Sequence, residues 1–256
     1  MAPTQSTASN FMPQRASDAS VLIVQTGSTL PAVRARHGDF PDWFRHGLGL
    51  RRGEVDVVDV ATGEDLPAPG QYAGVIITGS PAMVSERLPW SERTAQWLAK
   101  SVDAGSAVLG VCYGHQLLAH AFGGEVDYHP AGRELGTVTI ERLADSANDP
   151  LLGDAPMLFP AHASHQQSVL SLPPGAVALA RSAHDPFHAI RFAPRAWGLQ
   201  FHPEFSVEIM RGYVDARRPA RNGNCPQACC ATRDCAPTPF ARRLLRRFRA
   251  IAVNTT

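Results

Sequence analysis

The apolar positions in the first half of the chain fall into short, nearly unbroken runs. Val21-Leu22-Ile23-Val24 is closed by Gly27, Val55 to Val60 is rich in β-branched residues, and Ala73 to Thr78 and Ala107 to Val111 are apolar almost throughout. Runs of this kind suit strands buried on both faces. Between them the period changes. Asp39 to Leu50 carries Phe40, Trp43, Phe44 and Leu48 at near-helical spacing, Pro89 to Val102 reads as another helix, and Gly114 to Phe122 follows the fourth strand as a third. Alternating strands and helices predict a three-layer α/β fold, with a mainly parallel central sheet, helices on both faces and ligands outside the carboxyl ends of the strands.

From Leu135 onward the pattern shortens. Thr137 to Ile140, Val177 to Ala180, His188 to Phe192 and Trp197 to Phe201 are separated by Pro and Gly with no long helix between them, which predicts a small antiparallel extension of the sheet. A helix is expected from Val207 to Arg217. Further on, Phe240, Leu244, Leu245, Phe248 and Ile251 line one side of a final helix and Arg242, Arg243, Arg246 and Arg247 the other. That is the pattern of a surface helix docking its apolar stripe, with a partner or anion site as the alternative. Residues 1–19 offer little apolar surface to offset the entropy of ordering and read as a disordered tail. The expected organisation is therefore a tail over 1–19, one domain over 20–217, and a Cys-rich linker with a basic amphipathic helix over 218–256.

Composition narrows the function classes. A net charge of +1 with His neutral gives no electrostatic reason to expect nucleic acid or an anionic membrane as partner. With 44% hydrophobic and 18% charged residues, the chain can bury a sizeable core. Ala104 to Gly124 lacks Asp, Glu, Lys and Arg, which raises the question of a membrane span. Its Gly105, Gly110, Gly114, His115, Gln116 and His120 favour a buried strand, a turn and a helix instead. Residues 1–20 contain no apolar stretch behind a basic start, so the cytoplasm is the default expectation.

Five cysteines divide into two groups. Cys225, Cys229, Cys230 and Cys235 form C-x3-C-C-x4-C, which fits none of the usual C-x2-C zinc spacings. A metal knuckle, an oxidisable cluster and an inert linker all stay open, and no function is assigned. Cys112 stands apart in Gly110-Val111-Cys112-Tyr113-Gly114, after an apolar strand and at the opening of a helix. This is the G-x-nucleophile-x-G pattern of a nucleophile elbow. Small residues on either side let strand and helix cross closely, and a helix N-terminus favours thiolate. A buried structural cysteine is the alternative.

Ninety residues downstream, Trp197-Gly198-Leu199-Gln200-Phe201-His202-Pro203-Glu204 ends an apolar run with an imidazole and a carboxylate two positions apart. In extended backbone these side chains share a side, and Pro203 helps keep the segment extended. The Glu can then orient the imidazole while its other nitrogen meets a thiol, which is the logic of a triad. A loop with a satisfied His is the alternative.

Together, GVCYGHQLLAHAFGGEV and GLQFHPE resemble the two signature segments of the class I glutamine amidotransferases, a family with a Cys-His-Glu triad, and the likeness runs from about Val21 to Glu204. It implies that family's flavodoxin-like fold. By that resemblance Cys112 attacks the side-chain amide of L-glutamine or another γ-glutamyl compound, His202 shuttles the proton and Glu204 holds His202. Thr78-Gly79-Ser80-Pro81 is similar to the oxyanion loop, so the N–H groups of Gly79 and Tyr113 are the expected donors; a plain strand-ending turn is the alternative for Gly79. Gln116, Ser164 and His165 in Ala163-Ser164-His165-Gln166, and Arg133 ahead of Glu134-Leu135-Gly136, resemble substrate-facing positions. Relatives of this kind feed ammonia to a synthetase. With no G-x4-G-K-[ST] loop here, any acceptor-activating partner is expected on another protein or domain. The resemblance implies no cofactor and no metal. A γ-glutamyl peptidase and a silent binding module of the same fold are the other readings.

Overall fold

The computed structural model describes residues 21–217 and 235–254. The expected tail, Cys225, Cys229 and Cys230 lie outside the described residues; Cys235 is buried. In chain order the elements are β1 (Val21–Gln25), α1 (Pro31–His37), α2 (Phe40–Leu48), β2 (Val55–Asp59), β3 (Gly74–Ile77), α3 (Pro89–Asp103), β4 (Ala107–Val111), α4 (Tyr113–Ala121), β5 (Glu125–Tyr128), β6 (Glu134–Arg142), β7 (Leu158–His165), β8 (Gln167–Ser171), β9 (Val177–Arg181), β10 (Ala189–Ala193), β11 (Ala196–Leu199), α5 (Val207–Ala216) and α6 (Pro239–Val253).

A nine-stranded sheet runs β2-β1-β3-β4-β11-β10-β9-β6-β7. From β2 to β11 neighbouring strands are parallel, and from β11 to β7 they are antiparallel. β5 and β8 form a separate antiparallel pair. The sheet is a sandwich filling because each central strand sends alternate residues into different cores. Val21 and Ile23 of β1 join one cluster with α2, α5 and α6, whereas Leu22 and Val24 join a second with α3 and α4. This is the three-layer α/β architecture that the alternating runs predict.

The final helix docks by its apolar stripe: Phe240, Leu244, Leu245 and Phe248 are buried in the first cluster, and on its other side Arg247 pairs with Asp154. Gly47 and Gly74 face α6 so closely that a Cβ on either would strike Leu245 or Ala252. Among the described residues no helix is long and apolar enough to cross a membrane.

Candidate active site

The carboxyl end of β4 carries the nucleophile candidate. β4 is buried at every position, and the chain then reverses within one residue into α4. Cys112 makes that turn with φ 52° and ψ −101°, a left-handed conformation that a residue with a Cβ adopts only when its surroundings enforce it. The glycines on either side explain how it fits. A Cβ on Gly114 would lie 2.5 Å from the carbonyl oxygen of Ile77, and one on Gly110 would overlap the backbone of Gly114. The turn is pinned by hydrogen bonds from Cys112 N–H to Leu199 O at 2.8 Å and from Gly114 N–H to Thr78 O at 3.2 Å.

Strand register supplies the imidazole. β11 lies parallel beside β4 with Leu199 opposite Val111, so the segments leaving both strands emerge at the same end of the sheet. His202 is held there by its own N–H, which donates to His162 O at 2.7 Å, and by ring stacking on Phe205 at 4.0 Å between centroids. Its Nδ1–H donates to Glu204 Oε1 at 2.7 Å, and Cys112 is near enough to act on the imidazole electrostatically. Both His202 and Glu204 are 2% exposed. Burial by itself would push the His202 pKa down. The charge of Glu204, then that of Cys112, and the hydrogen bond to Glu204 reverse this and raise it to about 10, so the site holds an imidazolium at neutral pH.

Cys112, Tyr113, Gln116, Arg133, Ser164 and His165 all line one cavity of about 150 Å³, which gathers every expected substrate-facing residue at the thiol. Gly79 sits beside the imidazole; a Cβ there would be 3.3 Å from His202 Cε1. The Thr78 carbonyl accepts from the Thr26 hydroxyl at 3.1 Å and from Gly114 N–H at 3.2 Å, which fixes the peptide that carries the Gly79 N–H. Tyr113 opens α4, where the first N–H groups have no partner within the helix. Its hydroxyl, bonded to Ser91 at 2.6 Å, is pushed up to about 12 by burial.

The structure refines three of the expected roles. The side-chain nitrogen of Gln116 donates to Gln167 O at 2.6 Å and to Gln200 Oε1 at 2.9 Å, so this residue first holds the pocket wall together. The Ser164 carbonyl faces the Cys112 thiol at 3.9 Å, while the buried Ser164 hydroxyl has no protein partner. His165 is committed at both ring nitrogens, to Gln167 O at 3.0 Å and to Glu134 Oε2 at 2.9 Å.

Sequence reasoning missed what organises His165. Glu134 Oε2 also accepts from His188 Nε2 at 2.6 Å, and Glu134 Oε1 accepts from the Ser182 hydroxyl at 2.8 Å. Burial would raise the Glu134 pKa, but the hydrogen bonds and charge of His165 and His188 hold the carboxyl well below its usual range. Glu134, His165 and His188 have the ligand types and spacing that could hold a metal ion, and their hydrogen bonds to one another already account for the grouping. The register of β6 against β7, Glu134 opposite His165, was the signal that could have joined two of them. Arg217 was missed as well; it lines the same cavity from just beyond the end of α5.

A larger surface hollow of about 500 Å³ beside α6, lined by Leu48, Arg246 and Val253 among others, contains no nucleophile or acid–base pair. The chemistry is concentrated at Cys112.

Comparison with known proteins identifies the family. The family model for "Glutamine amidotransferase class-I" matches residues 38–214, which includes Cys112, His202 and Glu204. The GMP synthase [glutamine-hydrolyzing] of Thermomicrobium roseum is 43% identical over 132 residues, 51% of this chain and 23% of that protein; the chain thus spans about a quarter of that relative's length. Gamma-glutamyl peptidase 4 of Arabidopsis thaliana is 31% identical over 190 residues, 72% of this chain and 74% of that one. A glutamine amido transferase from Methylobacillus flagellatus superposes with a TM-score of 0.71 at 24% identity, over 91% of this chain and 93% of the other, a likeness of fold. With an elbow cysteine, its imidazole and its carboxylate all inside the matched segment, the chain belongs to the class I glutamine amidotransferase family.

Proposed function

We propose that this protein hydrolyses the side-chain amide of L-glutamine, or a related γ-glutamyl amide, through a γ-glutamyl thioester on Cys112. The carrying observation is an imidazole, His202, bonded to Glu204 and acting electrostatically with Cys112, whose side chain lines a cavity sized for a small ligand. The Cys112 sulfur attacks the γ-carbonyl carbon, and the imidazolium of His202 gives its proton to the departing nitrogen as the C–N bond breaks. Water then adds to the thioester with His202 as base, the C–S bond breaks, and glutamate leaves.

Glu204 keeps the Nδ1–H of His202 occupied, so that Nε2 serves the thiol throughout. The N–H groups of Gly79 and Tyr113 are the assigned donors to the oxygen that gains charge at each addition; one such donor is worth roughly 3–4 kcal/mol of barrier. Gln116, Ser164, His165 and Arg133 shape the pocket for the γ-glutamyl group. The released ammonia either leaves or passes to a synthetase partner of the kind that GMP synthase relatives suggest.

Ammonia release from glutamine by the purified chain, alone and with candidate partners, tests this reading. A glutamine-like chloroketone should alkylate Cys112 alone and abolish the release. A protein that neither releases ammonia nor takes the label would be a silent module of the same fold. The second reading, a γ-glutamyl peptidase using the same triad, is favoured by the likeness to gamma-glutamyl peptidase 4 over 74% of that protein.

A further inference from the structure

Two guanidinium groups share the cavity with Cys112, and neither has a carboxylate partner among the described residues. Arg217 stacks on the Tyr213 ring, its carbon 4.7 Å from the centroid, and its Nη1 is buried without a hydrogen-bond partner. Arg133 lines the same cavity, and no Asp or Glu is among the lining residues. Burial lowers both pKa values, and for Arg133 the charge of Arg217 lowers it further. Two like charges in one cavity are unfavourable; the Cys112 sulfur offsets part of that cost for both, no carboxylate among the lining residues does, and a ligand carboxylate at the unpaired guanidinium offsets the rest.

Glutamine brings one carboxylate and one ammonium and is neutral overall. An amino acid joined through its nitrogen to the γ-carboxyl brings a second carboxylate, on the leaving side of the scissile bond. Arg133 belongs to the segment expected to face the γ-glutamyl end, which leaves Arg217 as the additional cation. We infer that Arg217 takes the carboxylate of the leaving group, so that the preferred substrates are γ-glutamyl amides of amino acids. The inference rests on the thioester chemistry proposed above. In that reaction the C–N bond breaks, the amino acid's nitrogen takes the proton from His202, and water releases glutamate from Cys112.

The test compares γ-glutamylglycine with γ-glutamylglycinamide, which differ in the leaving-side carboxylate, with glutamine as a third substrate. The native enzyme is expected to favour the acid over the amide in kcat/KM by roughly tenfold or more, the size of one charge-assisted hydrogen bond. Arg217→Gln should bring that ratio close to one and Arg217→Lys should keep part of it. Because the ratio is taken within one protein, partial loss of folded enzyme cancels. Chloroketone labelling of Cys112 shows in addition that the site is formed. A native ratio near one alongside ordinary glutamine turnover overturns the inference and leaves the thioester reading standing, as does a ratio that Arg217→Gln preserves. Absence of turnover on all three substrates, with Cys112 unlabelled, overturns the thioester reading itself.

Discussion

Replacing Glu204 by Gln probes the electrostatics of the triad while keeping its shape. His202 is raised from 6.5 to about 10, a displacement worth on the order of 5 kcal/mol in favour of the imidazolium. The charge of Glu204 is the largest single cause of that rise and the charge of Cys112 the next, so the neutral amide should remove the largest single contribution. Gln can still accept from Nδ1–H, which preserves the orientation of the ring. Two consequences follow. The alkaline limb of kcat/KM for ammonia release should move down by at least one pH unit, and the rate of Cys112 alkylation by iodoacetamide should change its pH dependence in parallel. The second concerns stability. A group whose pKa is raised by folding stabilises fully below its unfolded value, here about 6.5, and loses that contribution as pH rises through the folded value near 10. The native protein should therefore exceed Glu204→Gln in Tm most clearly at pH 6 and much less at pH 10.5. An alkaline limb that stays in place in the variant refutes the argument, because it would mean that the carboxylate does not set the charge on His202.

Cys112→Gly should abolish turnover and labelling, yet be at least as stable as the native protein in urea unfolding, since relief of a strained φ of 52°, of order 1–3 kcal/mol, offsets the lost sulfur packing. Gly114→Ala should lower stability by roughly 2–3 kcal/mol, because its Cβ would press on the carbonyl and the Cβ of Ile77, which cannot turn aside as a side-chain tip can; a Tm unchanged from native would show that the elbow has slack. Burial holds His115 down to about 3 and His162 to about 4, so both are neutral when folded and bind protons on unfolding. Stability should fall as pH drops below 6.5, with a slope approaching roughly 3 kcal/mol per pH unit between about pH 5.5 and 4, and a urea midpoint that stays flat over that window would contradict it.

The parallel half of the fold was legible because its strands are buried on both faces and announce themselves as unbroken apolar runs. β4 has the bounds read from the sequence, and those of β1 and α3 differ by one residue at the C-terminal end. What was missed has weak periodicity. α1 buries only Val33, so no apolar stripe marks it, and β5 buries only Val126. β7 contains Pro160 and ends in Ala163-Ser164-His165, which reads as a motif segment, and it is a strand because it pairs with β6 along eight positions.

The gathering of Cys112, His202 and Glu204 was readable because a short-range signal, glycines flanking a cysteine, met a second one, His-Pro-Glu at the end of a strand. His188 and Arg217 carry no such local mark. Their places are set by how distant strands and a helix end converge, which is tertiary information that a linear pattern does not hold.

The insertion of β11 beside β4 has a consequence for how the molecule is made. β4 is apolar and buried at every position, and one of its edges stays open until residues 196–199 have been synthesised and docked. A chain shortened before that point would present a row of unpaired amides and carbonyls on a flat, uncharged ribbon, an invitation to intermolecular pairing. Truncations ending ahead of Ala196 should accumulate as aggregates, and β4 is the place where a chaperone would have most to protect during synthesis.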